Sequence, residues 1–144
     1  MIFEDTKRPF GAGDLPVISC DVPHTTYSSP GTASKWSYLF VDLTGLLTPL
    51  FSGSDLRIFN LLTILEHRTS LILNERDYPE IHALAAKIMR ELERKEDYYE
   101  ISVRGLFLTL LTDLARAYRQ IAASAEKKDD QPPENALVIA PALE

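Results

Sequence analysis

The chain has 144 residues, 45% of them apolar and 25% charged, with a formal net charge of −6 and a single cysteine. That length and apolar content suit one modest domain able to bury a core. The acidic balance excludes a whole-chain electrostatic footprint for nucleic acid or for an anionic membrane, and one cysteine excludes an internal disulfide.

No apolar run approaches the roughly 18 to 20 residues that a spanning helix needs, because Leu61 to Leu65 is broken at once by Glu66, His67 and Arg68. No membrane partner is therefore expected. The start, Met1-Ile2-Phe3-Glu4-Asp5, lacks the basic flank and apolar run of a signal peptide, so the expected location is cytoplasmic.

Residues 1–43 read as strands and turns. Val17-Ile18-Ser19, Thr25-Thr26-Tyr27-Ser28 and Trp36-Ser37-Tyr38-Leu39-Phe40-Val41 are the expected strands, divided by residues 21–23 and by Ser29-Pro30-Gly31. After Asp42, the leucines and phenylalanines between 46 and 65 suit short helices broken at Ser52-Gly53-Ser54. Residues 69–73 allow one more short strand.

Two punctuated helices follow. Asp77 is the expected cap of the first, Pro79 fits its first turn, and Glu80 stands three residues past the cap, where a carboxylate favours exposed amides. Its expected core face is Ile81, Leu84, Ala85, Ile88 and Leu92. The second helix is expected to start at Asp97 and run to about Ala123, with Glu91–Lys95 and Glu100–Arg104 as i,i+4 pairs.

The second helix carries two apolar stripes. Val103, Phe107, Leu110, Leu114, Ala117 and Ile121 step by four and three, and Leu108, Leu111, Ala115, Tyr118 and Ala122 repeat nearly that rhythm beside them. One stripe suffices to pack the helix on its own domain. The second serves either a partner subunit or a helix buried deeply within one domain. In the dimer reading, Phe107, Leu110, Leu114 and Ile121 form the interface, because their 3.5-residue spacing is what a helix pair requires.

The spacer at 127–135, with its charges and Pro132-Pro133, suits a linker rather than a packed element. A new apolar segment begins at 136. Phosphate-binding glycine loops, serine nucleophile elbows and histidine-pair metal motifs do not occur, and Cys20 has neither a neighbouring base nor a helix start to activate it. The sequence does not argue for an enzyme. Trp36 offers a flat indole face that could stack on a sugar or an aromatic effector, or could simply be core.

Gly13-Asp14-Leu15, Ile18 and Pro23-His24 have the spacing of the second cupin motif as it stands in the sensor domains of AraC/XylS-type transcription regulators, and the chain resembles that family there. The likeness continues through Ser29-Pro30-Gly31, residues 36–42 with Gly45 after them, and the helix over 96–114. It ends in Asn135-Ala136-Leu137, Ile139 and Ala142-Leu143, which resemble the start of the family's first DNA-binding-domain helix. The chain departs from the family at Ser19-Cys20-Asp21, where a Pro-Pro-Gly turn is common.

The resemblance implies an α+β chain: the C-terminal strands of a cupin-like β-barrel, then an amphipathic helical dimerisation segment. It divides the sequence into 1–43, the end of an effector-sensing domain, 44–124, the helical dimerisation segment, 125–135, an interdomain linker, and 136–144, a stub of the first DNA-binding-domain helix. It further implies a homodimer that binds a small-molecule effector, such as a sugar, inside the barrel, where His24 and Thr26, on one face of a strand, would touch it.

DNA would be reached only through a downstream domain absent from this chain. No metal or other cofactor is expected, because a cupin metal site also needs ligands from an earlier motif, and His67 and His82 stand at no ligand spacing from His24. The bland alternative for His24 is a histidine at a strand start that bonds its own turn. The alternative to the regulator reading is a stand-alone small cupin-like binding protein or regulator without a DNA-binding domain.

Overall fold

A computed structural model describes residues 1–3, 6–20, 22–50, 63 and 70–129. Among them are five short strands, β1 (Ile2–Phe3), β2 (Thr6–Lys7), β3 (Asp14–Ile18), β4 (His24–Thr25) and β5 (Ser70–Asn74). The helices described along their length are α1 (Leu43–Leu47), which runs into a 3₁₀ turn at Thr48–Leu50, α2 (Pro79–Arg94) and α3 (Tyr99–Asp129), and Thr63 is also helical. The chain is thus a mixed α and β structure. Its described strands form two small antiparallel sheets, ordered β2-β1-β4 and β3-β5.

The β3–β5 pair organises the molecule, because strand periodicity gives each of its faces a different neighbour. Leu15 lies opposite Leu73 and Val17 opposite Leu71, and these four join the main core with Ile81 and Ile88 of α2 and Phe107, Leu110, Leu111, Leu114 and Ala117 of α3. The alternate residues Ile18 and Ile72 point the other way and pack with Phe10 on a smaller cluster around Met1 and Val22. Leu47 of α1 is fully buried in the main core, which Val41, Leu43 and Leu46 also border. The pairing joins a strand at 70–74 to one at 14–18, so a sheet and a core connect residues on both sides of position 43.

Local chemistry sets these elements. Gly13 takes a left-handed φ of 83°, where a side chain would be strained, and its carbonyl accepts the Glu75 N–H at 2.9 Å to close the open end of the β3–β5 pair. Arg8 donates to the Ser70 carbonyl at 3.2 Å, tying the three-stranded sheet to the start of β5. Asp42 caps α1, its Oδ1 accepting the Gly45 N–H at 2.9 Å.

The cap of α2 differs from expectation. Asp77 does not cap it; Tyr78 holds the cap position without a side-chain bond. The Asp77 carboxylate is taken by the Asn74 amide at 2.7 Å, and Asn74 Oδ1 accepts the Asp77 N–H at 2.9 Å. This reciprocal pair forms the turn between β5 and α2 and engages one carboxylate oxygen of Asp77 there. Pro79 does open the helix and Glu80 does sit in its first turn. Further on, His82 Nε2 donates to the Leu73 carbonyl at 2.9 Å and pins α2 to β5.

A turn over residues 95–98 joins α2 to α3. Lys95, the C-cap, has φ 50° and Tyr98 has φ 66°, both left-handed. Lys95 makes no ion pair with Glu91 among the described residues, and Glu100 accepts from the Tyr99 hydroxyl at 3.4 Å rather than pairing with Arg104. Among the described residues the ion pairs on this hairpin are instead Arg116–Asp113 at 3.0 Å and an exposed Arg94–Glu96 contact at 3.9 Å.

Of the expected α2 core face, Ile81 and Ile88 are buried and Leu84, Ala85 and Leu92 half-buried. α3 begins at Tyr99 and continues to Asp129, six residues past the expected end, taking in the first residues of the expected spacer. The remainder of that spacer and the segment at 136–144 lie outside the described residues, as do the expected helical residues between 51 and 62.

The expected strand at 36–41 is not formed. Its residues lie outside both sheets, with no backbone hydrogen bond among the described residues. Strand composition is present there, but a strand needs an adjacent ladder, and none runs beside it among the described residues.

Candidate functional site

The three residues singled out for effector contact fall in the N-terminal layer. His24 opens β4 opposite Phe3, is exposed, and places Nδ1 3.0 Å from the Val22 carbonyl. A carbonyl only accepts, so Nδ1 carries a proton and donates. The histidine thus bonds its own turn. β4 ends at Thr25, so the half-buried Thr26 follows the strand rather than lying on it.

Trp36 is half-buried, with its ring centroid 4.5 Å from that of Phe10 at an interplanar angle of 37°. Tilted contact of this kind is a favourable aromatic geometry, and it makes the indole part of the small cluster around Met1 and Val22 through Phe10. Nearby, Lys7 Nζ stands 5.6 Å from the centroid of Tyr27, within cation–π range. The Phe10 partner was invisible in the sequence because it lies 26 positions away with no pattern linking the two.

Two hollows lie elsewhere. A cleft of about 270 Å³ runs between the start of α2 and the middle of α3, where Tyr78 and Ile81 face Ala117 and Gln120 and the Arg116 guanidinium rests on Asp113. A hollow of about 180 Å³ on the outer side of α2 is lined by Lys87, Arg90, Glu91, Arg94 and Glu96. Neither contains His24, Thr26 or Trp36. Among the described residues no group of three His, Cys, Asp or Glu side chains could hold a metal ion, and no helix is long and apolar enough to cross a membrane.

The expected dimer stripe divides by depth. Phe107 is 7% exposed and Leu110 and Leu114 each 6%, all packed into the main core of a single chain, so their burial is met without a second copy. Leu111 and Ala115 of the neighbouring stripe are buried as well. Of the four named residues, Ile121 alone keeps substantial surface, at 37%.

The start of α2 stands beside residues 113–120 of α3. With a short turn at the other end, the two helices therefore run antiparallel. α2 has 16 residues and α3 has 31, about 24 and 46 Å at 1.5 Å per residue, so α3 overhangs its partner from about Ile121 onward. Comparison with family models, with curated proteins and with solved structures finds no match to this chain.

Proposed function

We propose that this chain is the effector-sensing and dimerisation portion of an AraC/XylS-like DNA-binding transcription regulator, acting by binding and not by catalysis. The observation that carries the reading is the two-sided β3–β5 sheet. One face holds the main core with α2 and α3, and the other holds the cluster that includes Phe10, on which Trp36 stacks. A ligand settling against the N-terminal layer would press on a sheet one residue thick, whose opposite face is the bed of α3. That is a short mechanical route from an effector to the helix that precedes the linker. The motif order from Gly13 through residues 135–143 supports the same assignment.

Within this reading, contact between two copies falls on the overhanging end of α3, at Ile121 and the residues after it, because Phe107, Leu110 and Leu114 are already occupied in the core. Dimer geometry there would set the spacing of DNA-binding domains carried downstream. The test is a fusion. A monomeric helix-turn-helix domain attached after Glu144 should gain binding to a two-half-site operator and lose it on Ile121→Glu. Operator binding no tighter than that of the unfused domain would defeat the proposal. Effector binding is read separately from Trp36, the only tryptophan. A sugar or aromatic carboxylate that binds should raise the thermal midpoint and shift Trp36 emission together.

A further inference from the structure

The outer face of α2 carries a cluster of cations. At 3.6 residues per turn, Lys87, Arg90 and Arg94 fall within about 60° of one another, on the side of the helix turned away from the buried Ile81 and Ile88. All three are exposed, and together with Glu91 and Glu96 they line the hollow of about 180 Å³. Arg94 meets Glu96 only at 3.9 Å, while Lys87 and Arg90 make no ion pair or hydrogen bond among the described residues.

This arrangement works against the helix that carries it. Arg90 and Arg94 are an i,i+4 pair of like charge, and Lys87 stands three residues before Arg90, spacings at which neighbouring cations repel. The helix dipole accounts for a cation in the last turn, such as Arg94, but its effect has faded by Arg90 and Lys87. Carboxylates are plentiful in a chain of net charge −6, yet two of these three cations are unpaired among the described residues.

We infer that the hollow binds the phosphate group of a small hydroxylated phosphate ester. Two guanidinium forks and an ammonium around one concavity are a donor set matched to the terminal oxygens of a phosphate. The volume limits what enters. It falls below the ~300 Å³ at which a pocket encloses a whole drug-sized ligand, so the hollow receives a head group while the rest of the ligand stays in solvent. The two carboxylates then set the chemistry beside the phosphate. Glu91 and Glu96 repel an extended polyanion, whereas a phosphate ester with neighbouring hydroxyls donates to them. The site does not include Trp36, and it stands whether or not the regulator reading does.

Isothermal titration of the whole chain tests this, with inorganic phosphate and a hexose phosphate as probes at physiological salt. The hexose phosphate should bind, and more tightly than inorganic phosphate. Arg90→Gln should weaken it roughly tenfold, the worth of one charge-assisted hydrogen bond. Helical circular dichroism should stay unchanged, because Arg90 is exposed and supports nothing within the chain. Glu91→Gln separates the two halves of the assignment: inorganic phosphate should bind more tightly, and the advantage of the hexose phosphate should shrink. Duplex DNA and vesicles containing an anionic phospholipid should not be retained. Absence of binding by both probes, indifference to Arg90→Gln, an advantage that Glu91→Gln leaves intact, or retention of DNA or vesicles through Arg90 would each overturn the inference.

Discussion

The α2–α3 hairpin and the segment at 36–41 are both rich in large apolar residues, yet one hides them and the other displays them. The hairpin finds its partner locally, because a short turn returns the chain on itself and lays Ile81 and Ile88 against Phe107, Leu110 and Leu114. Residues 36–41 have the composition of a strand, but a strand's partner is set by the topology of the whole chain. In this molecule Tyr38 and Phe40 are left on the surface. Apolar content by itself does not decide burial; the nearest complementary surface does.

The sharpest way to break this contrast is to charge the hairpin core. Leu114→Glu forces a carboxylate into a site 6% exposed within one chain, and it should cost more than about 4 kcal/mol and abolish cooperative unfolding in urea. A folded variant would mean that the stripe faces outward. Next, Ile88→Ala removes a side chain with no exposure and should lower stability by about 2 to 4 kcal/mol in the same assay.

His82→Ala removes the bond from α2 to the Leu73 carbonyl, so a loss of about 1 kcal/mol is expected, with faster amide exchange at the start of α2 as the local readout. At the other extreme, Phe40→Ser, at a residue 92% exposed, should change the unfolding free energy of the isolated chain by no more than about 0.5 kcal/mol. A larger loss would show that Phe40 is supported within its own chain.

These four positions also mark what was legible in the sequence. The helices were, because their 3.6-residue periodicity is recorded locally. Ile81 and Ile88 fall on the buried face as expected, and Pro79 opens α2. The cap was not, because Asp77 had a competitor in Asn74, whose amide reaches it first. On α3 the two stripes were plain, but a stripe does not state what covers it. The strand at 70–74 was readable as β-prone, while its register with β3, which places Leu73 opposite Leu15, depends on residues nearly sixty positions apart.

For the effector candidates, the sequence supplied residue types and spacing but not surroundings. His24 bonds Val22, and Trp36 is engaged by Phe10, a pairing no periodicity signals. The own-turn bond of His24 was readable because its partner is two residues away, whereas the Phe10 partner of Trp36 was not, because it is non-local.

The unequal lengths of α2 and α3 give the hairpin a mechanical advantage. Ala117 is clamped in the core beside the start of α2, whereas the helix continues twelve residues further to Asp129. At 1.5 Å per residue that free arm is about 18 Å long, so a tilt of roughly 10° at the clamp would swing its tip by about 3 Å. Repacking too slight to resolve inside the core would thus become a displacement large enough to read with a pair of spin labels at the tip. The arm is a pointer whose fulcrum is the core.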